Sequence, residues 1–159
     1  MRLALPIRVA RLGALPPGFE DLAADATADG QRMLEVLRED WASGAERFDK
    51  PGAALFGAFA GDALLGLAGL TRDPYLRGEE AGRVRRFYVR RASRRHGAGR
   101  MLLGAVAAAA RETAWQRLRV RAPAEAFAFY EACGFLRAVG EASATHVLPL
   151  RAVTAPGPR

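Results

Sequence analysis

The chain has 159 residues, enough for one domain that buries roughly two-thirds of its unfolded surface. Half of it is hydrophobic and its formal charge is +7, a balance that excludes a disordered or fibrous protein. Lys50 is the only lysine, so the positive charge is almost all arginine in an alanine- and glycine-rich chain; codon bias accounts for that without selection for nucleic acid.

Taken in order, "PIRVARL" (6–12) alternates as a first strand and "GALPPG" stops it. Residues 19–48 are helical in character, with Leu34, Leu37 and Trp41 on one face and Gly30 dividing a shorter helix from a longer one. "AALFGAFA" and "ALLGLAGLT" read as a hairpin about the two-residue turn Gly61-Asp62. Asp62 and the glycines of this apolar stretch argue against a membrane span. "RDPYLRGEEAG" is a polar loop, and "RVRRFYV" (83–89) is a strand rich in β-formers despite its charges. A helix follows from about Gly97, its apolar face carrying Leu102, Leu103, Val106 and Ala110. "RLRVRA" (117–122) is a short strand, "AEAFAFYEACG" (124–134) a helix closed by Gly134, and "FLRAVG" and "ATHVLPL" an antiparallel pair. The order β-α-α-β-β-β-α-β-α-β-β implies a single α/β domain over residues 1–151, with a frayed tail at 152–159. The lone cysteine, Cys133, excludes an internal disulfide and a cysteine zinc cluster, and suits a reducing cytoplasm. Pro6 and Arg8 break the first apolar run before a secretory core forms.

The chemistry concentrates at Arg94-Arg95-His96-Gly97-Ala98-Gly99-Arg100, between the charged strand and a helix. A helix N-terminus leaves about four amides unpaired and carries partial positive charge. Glycines there let an anion approach the backbone, and arginines add charge-assisted contacts. Taken alone, a Gly-x-Gly also describes a plain turn with solvated arginines. The P-loop and dinucleotide-binding patterns are absent.

The longer segment "FYVRRASRRHGAGRMLL" resembles the acetyl-CoA-binding signature of the GNAT superfamily of N-acetyltransferases, a strand followed by [Arg/Gln]-x-x-Gly-x-[Gly/Ala]. Arg94, Gly97 and Gly99 match it, and "AFAFYEACGF" (126–135) is similar to the family's second signature, a helix ending in Tyr-x-x-x-Gly-Phe. The resemblance implies a mixed, mostly antiparallel sheet of six to seven strands flanked by about four helices. It implies acetyl-CoA as acyl donor, no metal, a primary amine as acceptor, and a homodimer as one assembly. Amides from Arg95 through His96, Gly97, Ala98 and Gly99 to Arg100 would hold the pyrophosphate, and the backbone of Phe87, Tyr88 and Val89 the pantetheine arm. Tyr130 would protonate the leaving thiolate; its other reading is a core tyrosine. Cys133 is read as a packed residue, since the family transfers acetyl directly.

Three positions depart from the family pattern. Pro123 stands where many members have Asn, and Arg91 where a proline is usual. Arg83 stands where some members carry a glutamate base, leaving Glu79 and Glu80 as the nearest carboxylates, either substrate-binding or solvated. Arg83, Arg85 and Arg86 on one strand require partners. Alternation puts Arg86 on one face and Arg83 with Arg85 on the other. Arg86 either holds a substrate carboxylate or forms a structural salt bridge. Two other functions remain open: a non-catalytic acyl-CoA-binding module of the same fold, and a basic nucleic-acid-binding domain.

Overall fold

The computed structural model describes residues 5–151; the expected frayed tail at 152–159 lies outside them. Seven strands and four α-helices follow one another in the expected order. They are β1 (Ile7–Arg11), α1 (Phe19–Ala28), α2 (Met33–Ser43), β2 (Ala54–Ala60), β3 (Ala63–Arg72) and β4 (Ala81–Val89), then α3 (Ala98–Arg111), β5 (Arg117–Val120), α4 (Phe127–Ala132), β6 (Leu136–Arg137) and β7 (His146–Pro149). Short 3-10 turns at Arg91–Ser93 and Ala124–Ala126 lead into α3 and α4.

The strands form one sheet in the order β1-β2-β3-β4-β5-β7-β6. Every pairing is antiparallel except β4 with β5, which the α3 crossover makes parallel. Its two faces carry separate cores. Leu102, Leu103, Val106 and Ala110 of α3 are buried against one face with Val84, Leu118 and Tyr130. Phe19 and Leu22 of α1 and Leu34 and Leu37 of α2 are buried against the other with Leu55, Leu67 and Tyr88. Each such leucine, fully buried, contributes about 1.5–3 kcal/mol. β2 and β3 are therefore covered on both faces and read as nearly unbroken apolar runs.

β4 breaks the alternation. Arg86 has φ 53, and the register with β3 slips between Leu67/Tyr88 and Gly69/Arg85. This bulge adds one residue to β4 and resets which face each side chain takes. Arg86 therefore reaches Asp40 of α2 at 3.4 Å, whereas regular alternation from Val84, which is buried with α3, would have turned it to the face opposite Arg83 and Arg85.

Candidate active site

β4 and β5 pair only from Ala81 to Arg83 against Arg117 to Arg119. Beyond that point β4 bends at its bulge, and β5 stops at Val120, three residues before Pro123, which has no amide to donate. The strands part, leaving the far half of β4 bonded to β3 alone. The opening is a cleft of about 890 Å³. Among the described residues its walls carry seven arginines against two carboxylates, Asp29 and Glu125.

One end of the cleft is the start of α3. Gly97 caps the helix at φ 95 and no side chain caps the first turn, so the amides of Ala98, Gly99 and Arg100 face outward without a protein partner. A side chain at Gly97 would be strained in this left-handed backbone. At Gly99 a Cβ would lie 3.3 Å from the Phe129 ring, and its absence keeps the approach to the amides open. Gly97, Gly99, Arg95 and Arg100 line the cleft; Ala98 is buried beneath the turn, and His96 is exposed outside the lining.

Arg94 lines the cleft and is also tied to the protein around it. Its Nη2 donates to Asp29 at 2.7 Å and its Nε to the Val89 carbonyl at 3.1 Å, with the guanidinium over the Tyr88 ring. Four residues earlier on α1, Asp25 accepts from the Tyr88 hydroxyl at 2.6 Å and the Arg91 amide at 3.0 Å. Burial alone would push the Asp25 carboxyl up; the bonds from Tyr88 and Arg91 outweigh it and hold the group at about 2. Burial, followed by that bond, pushes the Tyr88 phenol up. Two aspartates one helical turn apart thus lock the turn that presents the α3 amides. Neither was singled out from the sequence, although their i, i+4 spacing on α1 was available.

Tyr130 lies where the strands diverge, 2 % exposed, among the rings of Phe87, Phe129, Phe135 and His146. Gly134 donates to Glu131 and Phe135 to Tyr130, a Schellman closure that fixes the last turn of α4. Tyr130 lines the cleft. Burial and the neighbouring Cys133 push the phenol up, so it keeps its proton at neutral pH. The half-buried Cys133 thiol is also pushed up by burial, which disfavours the thiolate a nucleophile needs.

At the other end, Arg83 is 7 % exposed and reaches Asp73 at 3.4 Å; Arg119, 1 % exposed, reaches the same carboxylate oxygen at 2.7 Å. Asp73 also caps its own loop, accepting from the Tyr75 amide at 2.8 Å. The position expected to hold a base is therefore a buried ion network. Glu79 and Glu80 lie outside the cleft lining, half-exposed, paired with Arg117 at 2.7 Å and Arg72 at 3.6 Å. Asp73 and Arg119 were not foreseen. The β3–β4 register puts Asp73 diagonally across from Arg83, which a hairpin alignment can anticipate. His146, fully buried, leaves Nε2 without a hydrogen-bond partner and sits against the Phe127 ring at 4.8 Å.

Among the described residues no helix is long and apolar enough to cross a membrane, and no cluster of three or more His, Cys, Asp or Glu is placed to hold a metal. A comparison with curated proteins gives no match. Solved structures share the fold. A candidate acetyltransferase from Exiguobacterium sp. 255-15 superimposes with TM-score 0.80 at 24% identity, covering 91% of this chain and 94% of that one. A candidate GNAT-family acetyltransferase from Desulfovibrio desulfuricans gives 0.70 at 19%, covering 92% and 100%. The GNAT family N-acetyltransferase YhbS of Escherichia coli, in complex with CoA, gives 0.68 at 15%, covering 95% and 85%. The acetyltransferase (GNAT) domain family matches residues 22–149. On that match, over most of its length, the chain belongs to the GNAT acetyltransferases.

Proposed function

We propose that the protein is a cytoplasmic N-acetyltransferase that moves acetyl from acetyl-CoA to a primary amine. The observation that carries this reading is the parted β4–β5 pair, with the uncapped start of α3 at one side and Tyr130 among the residues that line the gap. The residues fit the donor. The amides of Gly99 and Arg100, with Arg95 and Arg100 beside them, suit a pyrophosphate. The unpaired side of β4 from Phe87 to Val89 suits an extended amide-bearing arm. Acetyl-CoA supplies an activated thioester. The chain supplies orientation: as the amine attacks the carbonyl and the C–S bond breaks, Tyr130 gives a proton to the departing sulfur, and the surplus proton of the attacking nitrogen restores the phenol.

No carboxylate occupies the position from which some relatives draw a base. Cationic walls offer another route, because arginines around an entering ammonium favour its neutral, nucleophilic form. Activity should therefore rise with pH through the range in which the bound amine loses its proton. The test is a screen for thiol release from acetyl-CoA across amines, amino acids, aminoglycosides and peptide N-termini. Acetyl-CoA binding without release on any acceptor would replace this reading with a non-catalytic coenzyme-binding module. Pro123 and the occupied Arg83 position are the observations that favour that second reading.

A further inference from the structure

The arginines of β4 are not equivalent. Arg83 is held by Asp73 and Arg86 by Asp40. Arg85 is more than half buried and lines the same cleft, yet among the described residues it has no carboxylate within 4.0 Å. Its sole side-chain partner is the Thr71 hydroxyl, 3.2 Å from Nη1. Burial lowers its pKa and the neighbouring Arg86 and Arg83 charges lower it further; Glu46, beyond 4.0 Å, and Tyr75 pull the other way without reversing the shift. A desolvated guanidinium flanked by like charges is costly to keep unless an anion joins it. The other cleft arginines without a carboxylate, Arg95, Arg100 and Arg121, are exposed.

We infer that Arg85 binds a carboxylate on the acceptor, so that the substrates are amino acids or similar short amine-carboxylates. This deepens the acetyltransferase reading and rests on it. The bulge at Arg86 separates Arg85 from Phe87, so they are at most about 7 Å apart along the backbone; both line the cleft with Tyr130, whose ring is 5.9 Å from that of Phe87. An acceptor held at Arg85 and reacting beside Tyr130 therefore carries its carboxylate and amine only a few bonds apart. One planar guanidinium with a free edge suits a planar carboxylate; its other edge is steadied by Thr71. Arg86, bridged to Asp40, positions α2 along the wall and leaves the anion to its neighbour.

The test reads binding without requiring turnover. The N-acetyl derivatives of the common amino acids and their primary amides are titrated calorimetrically into the protein saturated with CoA. For at least one pair the acid should bind about tenfold or more tightly than the amide. That ratio should fall to near one in Arg85→Gln and Arg85→Ala, and recover in part in Arg85→Lys. Equal affinities throughout, no binding by either series, or a preference that survives Arg85→Gln overturns the assignment. Thiol release is measured separately on the parent amino acids. Carboxylate-selective binding without release sinks the acetyltransferase reading and keeps the Arg85 site; release with no carboxylate preference does the reverse.

Discussion

The two ends of the cleft hold their charge in different ways. At the α3 end the positive potential comes from the backbone: unpaired amides, a helix dipole and a glycine cap, steadied by Asp25 and Asp29 from α1. At the Arg85 end it comes from side chains, each with a partner on a different element: Asp73 in the β3–β4 loop, Asp40 on α2, Thr71 on β3. A backbone site depends on a short local pattern and tolerates change in the side chains around it. A side-chain site depends on distant residues meeting, and one substitution alters what it selects.

The sharpest way to break this contrast is at Asp73. Asp73→Ala leaves Arg83 and Arg119 buried without their shared counter-ion, and should cost about 3–5 kcal/mol of stability in thermal or denaturant unfolding. A loss below 1 kcal/mol would mean that the acceptor end does not rest on that network. Next comes Tyr130→Phe, which removes one oxygen at the junction of the two ends. Its kcat should drop by about 10²-fold with little change in KM for acetyl-CoA; a full-rate variant takes Tyr130 out of the chemistry. Gly97→Val probes the backbone end alone. A β-branched residue at φ 95 should weaken CoA binding about tenfold by calorimetry, leaving the Arg85 carboxylate preference intact.

Smaller effects follow. The folded Asp25 carboxyl, held at about 2, lies below its unfolded value of 3.8. Its contribution is thus full above about pH 4 and disappears as pH falls toward 2. After solvent screening it amounts to about 1 kcal/mol. The melting temperatures of the wild type and Asp25→Asn should therefore differ at pH 6 and converge toward pH 2. Smallest is Glu79→Gln with Glu80→Gln. Half-exposed pairs outside the cleft should shift stability by about 0.5 kcal/mol or less, and a large rise in acceptor KM would return these residues to the site.

The same contrast explains how far the sequence could be read. The Gly61-Asp62 turn, the apolar face of α3, the glycine-arginine turn and the Tyr-to-Gly-Phe helix end are local, and all stand where their residues imply. The face taken by Arg86 was not legible, because alternation presumes a regular strand and an arginine gives no sign that it will adopt φ 53. Nor was the sorting of the charges. Asp73 meets Arg119 across 46 residues of sequence and Asp25 meets Tyr88 across 63, pairings set by tertiary packing rather than by neighbours in the chain. Glu79 and Glu80 attracted attention by proximity to the strand, whereas register gave the nearby Asp73 the buried position.

The parting of β4 from β5 has a consequence for how the molecule behaves among other proteins. A strand side left without a neighbour is a template for any extended chain, and on the rim of a sheet it invites self-association. Here that stretch lies in the middle of the sheet, between the arginine-lined wall and the aromatic rings of α4. A folded neighbour's strand edge would have to enter between two strands of one sheet, while a single flexible arm can lie along the open side of β4. Sticky backbone is thus kept for a slender guest, and the rest of the sheet can remain an ordinary, well-covered core.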